Sequence, residues 1–201
     1  MVIPTLESHD ANFEFLLSIY SNKPVELISL NKDSYKVLIS EWALSNAAGS
    51  HLSQEIFKPK GKLAYGSRTL LWHENPTFRL TFESKERIPE LEFEIILARS
   101  EKIWSNKVTS GIVNSMIGLY LFQFEKDNKW KTDKKYLLNQ GEIEFLPKNE
   151  ISYFFKFTRA DPRGYIIMPS TYGPNVYGPF ILYVRCNEKF ALRERSSKDT
   201  D

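Results

Sequence analysis

Apolar residues recur at every second position through much of the chain, the spacing that places them on one face of a β-strand. Between Thr77 and Phe82, the residues Phe78, Leu80 and Phe82 share a face. Leu91, Phe93, Ile95 and Leu97 do the same with Glu92 and Glu94 opposite, and Ile143 and Phe145 alternate with Glu142 and Glu144. Further strand-like runs cover residues 116–124, 151–158, 165–168 and 180–185. Turn-forming residues divide them: residues 85–89, Asp127-Asn128, Asn139-Gln140-Gly141, Asp161-Pro162-Arg163-Gly164 and Gly173-Pro174-Asn175. No long stretch holds an apolar stripe at helical spacing. Many short strands separated by regular turns predict an all-β fold, an antiparallel β-sandwich.

Composition narrows this further. Aromatic residues make up 14% of the 201 positions, with 14 Phe and 10 Tyr, an enrichment suited to pleated, half-buried surfaces. The length fits one domain with additions, or a domain plus part of another. A formal net charge of +2 lacks the basic excess of a dedicated nucleic-acid binder. The single cysteine, Cys186, excludes an internal disulfide framework and fits a reducing compartment. No apolar run approaches the roughly 18 residues of a membrane-spanning helix.

The two ends of the chain are alike. Residues 1–30 align with residues 166–195 without a gap: Pro4 falls on Pro169, Phe15 on Phe180, Leu17 on Leu182, Asn22 on Asn187 and Leu27 on Leu192. Each copy reads as a strand, a polar loop, a second strand and a short apolar tail, so the pair is read as a repeat. The second copy closes a domain of residues 36–195, which a charged tail, residues 196–201, follows. The first copy is then expected to close a preceding sandwich, with residues 1–35 as its last strands plus a linker over residues 31–35. Phe15, Leu17 and Ile19 are expected to be buried, and residues 1–30 to support self-association, because a bare strand pair is a sticky edge.

Ser40-Glu41-Trp42, the turn Ala47-Ala48-Gly49-Ser50 and the segment Trp72-His73-Glu74-Asn75-Pro76-Thr77-Phe78 follow one another in an order that resembles the opening of the domain III β-sandwich of calpains. The segment Gly164-Tyr165-Ile166-Ile167-Met168-Pro169-Ser170-Thr171-Tyr172, followed by Gly178-Pro179-Phe180, resembles that domain's close. The resemblance covers Trp42 to Val184. Together with the repeat it is similar to the tandem sandwiches of PalB-type calpains, the fungal proteases of ambient-pH signalling and their relatives. The departures are Ser50 in place of a second turn glycine and an insertion over residues 54–68. The motif residues read as structural. Asn75 fixes a turn ahead of Pro76, Gly164 lets the chain reverse before Tyr165, and Pro169, lacking an N–H, is expected at a sheet edge or a strand end. Trp42 and Trp72 are expected to anchor loops, and Phe78 and Phe180 belong to the motif's strands.

Candidate chemistry is sparse. Calpain catalysis, which resembles that of papain, needs a Cys, a His and an Asn. Cys186 sits at a strand end rather than at a helix N-terminus, the setting that activates a thiol. His9, His51 and His73 are scattered without metal-ligand spacing. The loop Glu83 to Glu90, which matches the acidic calcium loop of some calpain domain III copies, is interrupted by Lys85 and Arg87, so neither metal nor cofactor is expected. Lys129, Trp130, Lys131, Lys134 and Lys135 are candidate contacts for an acidic surface, and nucleic acid is not expected.

Two functions follow from these residues. The resemblance implies a non-catalytic regulatory or docking region of a calpain-like cysteine protease of the alkaline-pH signalling type. Its implied partners are an upstream protease domain and ESCRT-III-associated proteins, in the cytoplasm with recruitment to endosomal membranes, where the parent enzyme processes a transcription factor. The alternative is a stand-alone lipid- or carbohydrate-binding sandwich.

Overall fold

The computed structural model describes residues 22–24, 35–43, 45–50, 71–84, 86–99, 116–124, 132, 136–139, 143–174 and 176–196. The chain divides into two compact units, Met1–Leu30 and Asn31–Asp201. The expected burial of Phe15, Leu17 and Ile19 lies outside the described residues, as does self-association through residues 1–30.

In the second unit the strands are β1 (Tyr35–Trp42), β2 (Phe78–Phe82), β3 (Ile88–Arg99), β4 (Ile117–Gln123), β5 (Glu150–Ala160), β6 (Tyr165–Thr171), β7 (Gly178–Cys186) and β8 (Phe190–Glu194). A short 3-10 turn spans Trp72–Glu74, and no helix among the described residues is long and apolar enough to cross a membrane. The strands form two antiparallel sheets of four, ordered β1-β7-β3-β5 and β4-β6-β2-β8. This is the antiparallel sandwich that the period-two patterning predicts.

Between the sheets lie the inward residues of both. Leu91, Phe93, Ile95 and Leu97 of β3 and Phe180, Leu182 and Val184 of β7 meet Phe78 and Leu80 of β2, Leu119 and Leu121 of β4, and Tyr165 and Ile167 of β6, all buried. The aromatics interlock: Phe93 lies 5.2 Å from Phe155 and 5.4 Å from Tyr165, and Tyr165 stacks on Phe157 at 5.0 Å.

A second apolar layer covers the outer face of the β4-β6-β2-β8 sheet. Tyr120, Phe122, Phe124, Ile166 and Met168 are buried there beneath Trp72, Tyr136, Leu137, Ile143 and Phe145. Strands β4 and β6 are therefore apolar on both faces, which is why neither alternates in sequence. The alternation at Ile143 and Phe145 has this origin. Residues 143–145 are not a strand, as the sequence suggests, but an irregular segment laid on the sheet and tied by the pair Ile117–Leu146. Phe145 packs against Gly118, where an added Cβ would come within 2.7 Å of its ring.

Two further differences concern boundaries. Tyr35, assigned to a linker from sequence, is the first residue of β1 and pairs with Arg185. The apolar tail after β7 is itself a strand, β8, paired with β2 from Phe78–Glu194 to Phe82–Phe190.

Candidate functional site

Part of the family-like motif set, Trp42, Gly49, Asn75, Phe78, Pro169 and Phe180, converges at one end of the sandwich. Trp42, the last residue of β1, is fully buried, packs 4.4 Å from Phe180, and donates its indole N–H to the Pro169 carbonyl at 3.2 Å. Phe78 meets Phe180 edge-on at 6.0 Å. Asn75, just beyond the 3-10 turn, donates through Nδ2 to the carbonyl oxygens of Gly49 (2.8 Å) and Trp72 (2.7 Å), with Ser170 Oγ at 3.3 Å. Ser50 closes the same knot, donating from its backbone N–H and its hydroxyl to the Tyr172 carbonyl. Gly49 carries φ +74°, and a Cβ there would meet the Pro174 nitrogen at 2.5 Å. Three sequence segments far apart in the chain are thus pinned to one another by a buried polar network, which costs stability if any member is left unsatisfied.

Pro169 corrects an expectation. It lies inside β6, a central strand between β4 and β2, rather than at a sheet edge or a strand end. The ladder to β2 stops at Ile167, so no β2 residue faces Pro169. Its partner on β4, Leu119, turns its carbonyl away to accept from Asn139 Nδ2 at 2.9 Å. Pro169 turns its own carbonyl to Trp42. The absent N–H therefore points where no ladder acceptor stands.

The other motif residues are dispersed. Gly164 (φ +92°) and Tyr165 belong to the opposite turn, Asp161-Pro162-Arg163-Gly164, where Gly164 N–H donates to the Asp161 carbonyl at 3.1 Å. Asp161 accepts from the Arg163 backbone and side chain, and these bonds hold its carboxyl below the ordinary carboxylate range. Trp72 lies half-buried on the outer apolar layer, 5.2 Å from Tyr120. Lys129, Trp130, Lys131, Lys134 and Lys135 fall outside the described residues.

Cys186 is buried at the end of β7, and burial pushes its thiol up to about 11. The Glu188 N–H points at its sulfur from 3.4 Å, and Asn187 Oδ1 is 3.8 Å away. The neutral thiol, not the nucleophilic thiolate, is the form this pocket favours. A thiol-specific disulfide reagent at pH 8 is expected to label Cys186 only at the rate of unfolding; labelling as fast as that of a free thiol would show the side chain to be accessible. Because the folded pKa is raised, the thiol's contribution to stability is complete below its unfolded value and is lost as pH climbs through about 11. His73 lies on the 3-10 turn; His9 and His51 are outside the described residues. Among the described residues no group of three or more His, Cys, Asp or Glu is placed to hold a metal ion.

Two surfaces carry charge. On the outer face of the β4-β6-β2-β8 sheet, Arg79 of β2 stands opposite Arg193 of β8, and its guanidinium lies 3.7 Å from the centre of the Phe124 ring. On the outer face of the other sheet, Glu90, Glu92 and Glu94 of β3 line up at alternate positions. Lys156 of β5 pairs with both Glu90 and Glu92, and Ser152 Oγ donates to Glu94 at 2.9 Å. The same face exposes Val37, Ile39 and Phe154. These three were not singled out from sequence; the available signal was the run Val37-Leu38-Ile39, apolar on both faces of a short strand.

Residues 60–185 match the family model described as calpain large subunit, domain III. That segment is more than half of the chain and runs from before the 3-10 turn into β7, leaving β1 and β8 outside it. No curated protein matches the chain.

Proposed function

The chain belongs to the calpain large subunit domain III family, and from that premise we propose that it serves as the regulatory and docking sandwich of a calpain-like cysteine protease of the alkaline-pH signalling type. A calpain domain III is a non-catalytic regulatory domain of calpain-like proteins. The finer reading adds an upstream protease domain in the same protein, cytoplasmic placement with recruitment to endosomal membranes through ESCRT-III-associated proteins, and processing of a transcription factor by the parent enzyme. The family match over residues 60–185 is the observation that carries the regulatory reading. The likeness of residues 1–30 to residues 166–195 supports the tandem arrangement of the alkaline-pH type, with residues 1–35 closing a preceding sandwich.

The chain incubated with casein and with a fluorogenic calpain peptide, with and without calcium, is expected to cleave neither. Cleavage that disappears in Cys186→Ala would make this chain an enzyme and end the proposal. Deleting residues 36–195 from the parent gene is expected to abolish processing of the transcription factor at alkaline pH. Normal processing without those residues would remove the pH-signalling assignment and leave the regulatory one standing.

A further inference from the structure

The β1-β7-β3-β5 sheet has one face in the core and one outside. Cross-strand register fixes what the outer face presents. One row runs Val37, Tyr183, Ile96, Ser152 across the four strands; the next runs Ile39, Ile181, Ala98, Glu150; on the other side runs Tyr35, Arg185, Glu94, Phe154. The centre of this face is apolar on every strand: Val37 and Ile39 on β1, Ile181 and Tyr183 on β7, Ile96 and Ala98 on β3, with Phe154 of β5 diagonal to Ile96 and within reach of it. Ile39 is 54% exposed and Phe154 60%. With strands about 4.8 Å apart, the patch is about 15 Å wide. The opposite sheet buries the equivalent surface under a second apolar layer; this one has no such cover among the described residues.

The rim is acidic. Glu41 of β1 and Glu150 of β5 flank the apolar strip at one end, and neither has an ion-pair partner among the described residues. At the other end Glu90 and Glu92 share the single ammonium of Lys156, and Glu94 stands beside Arg185. Among the described residues carboxylates therefore outnumber cations on this face, although the whole chain carries a net positive charge. An apolar centre inside an acidic rim repels an anionic membrane or a nucleic acid. It complements a polypeptide whose own apolar side chains are ringed by Lys or Arg.

We infer that the outer face of the β1-β7-β3-β5 sheet docks a basic amphipathic polypeptide segment, with Ile39, Val37 and Phe154 meeting its apolar side chains and Glu41, Glu150 and the Glu90–Glu94 row meeting its cations. This rests on the docking role proposed above and supplies the surface and the partner chemistry.

The test uses the whole chain and a pair of synthetic amphipathic peptides, one with leucines ringed by lysines and a twin with glutamate at each lysine. The lysine peptide is expected to bind at least about tenfold more tightly than its twin. Ile39→Ser with Phe154→Ser, and separately Glu41→Lys with Glu150→Lys, are each expected to weaken it about tenfold or more at unchanged melting temperature. Binding should also weaken near 1 M salt, where charges are screened beyond about 3 Å. On the unaltered chain, amide shifts on peptide addition should centre on β1, β7 and β3. Equal binding of the two peptides, shifts centred instead on the Arg79–Arg193 face, or variants without effect would overturn the inference. So would a dimer of the chain that the serine pair dissociates, or phosphatidylserine vesicles that bind through this face. A protease region of the parent protein that still binds the serine pair would overturn this surface alone and leave the regulatory reading intact; no binding of that region by the unaltered chain would count against the regulatory reading instead.

Discussion

Gly164→Ala is expected to destabilise the sandwich by about 4 kcal/mol, near the upper end of single-residue effects. Two causes add. Gly164 holds φ +92°, a region that costs a residue with a Cβ about 1–3 kcal/mol. The Cβ would also drive into the Leu80 carbonyl oxygen, with the Leu80 carbonyl carbon at 2.8 Å and Thr81 Cα at 3.1 Å. These are backbone atoms of β2, and β2 is held on both sides by β6 and β8, so they cannot yield as a side chain would. The turn cannot shift outward either, because the Gly164 carbonyl accepts from Phe124 N–H and its own N–H is bonded to Asp161. For a domain of this size the loss corresponds to a melting temperature lower by about 12 °C. Gly173→Ala is the control: its nearest neighbour, Val176 Cγ2, lies 4.0 Å from the added carbon and its φ is not positive, so alanine there is neutral or stabilises by about 0.5 kcal/mol. Equal melting temperatures for the two variants would show that the β6 turn has room the structure does not give it.

What the sequence displays and what it conceals divide along a physical line. Strands β2, β3 and β5 each bury one face, so Phe78, Leu80 and Phe82, or Leu91 through Leu97, stand out at period two. Strands β4 and β6 bury both faces, and a run such as Ile117 to Phe122 carries no period to read; only its length marks it as a strand. The second apolar layer is the reason, and it also made Ile143 and Phe145 imitate a strand. Pro169 was misplaced because a proline rule concerns the direction of one N–H, and the end of the β2–β6 ladder that frees that direction is a long-range fact. The acidic docking face was half legible: Glu90, Glu92 and Glu94 are visible at alternate positions, but only strand order brings Ile39 of β1 into one surface with Phe154 of β5, more than a hundred residues away. The knot of Trp42, Gly49, Asn75 and Pro169 was legible as a set of motif residues, while their mutual hydrogen bonds were not.

That knot gives the second large effect. Asn75 is 3% exposed, and its amide nitrogen faces three acceptors, the carbonyl oxygens of Gly49 and Trp72 and the hydroxyl oxygen of Ser170. Its Oδ1 is buried without a hydrogen-bond partner among the described residues, so the residue acts as a donor and its amide group cannot be exchanged for an acceptor. Asn75→Ala takes the side-chain donor from the Gly49 carbonyl and leaves the Trp72 carbonyl only the backbone N–H of residue 75, at 3.5 Å, and is expected to cost about 2–3 kcal/mol. Asn75→Asp is expected to cost more at neutral pH, about 4 kcal/mol, because a buried carboxylate oxygen then confronts carbonyl oxygens in place of N–H groups. The two variants also differ in pH dependence. Burial and facing acceptors favour the protonated carboxyl, which can donate to one of those acceptors, so the folded-state pKa of the new aspartate lies above its unfolded value of about 3.9. A group raised in this way keeps its stability below the unfolded value and loses it as pH rises through the folded one. Measured by urea denaturation against the unaltered chain, the deficit of Asn75→Asp should therefore shrink on going from pH 7 towards pH 4, while that of Asn75→Ala stays flat. An aspartate variant as stable as the parent at pH 7, or a deficit that grows on acidification, would mean that Asn75 serves the knot through its oxygen and not its nitrogen.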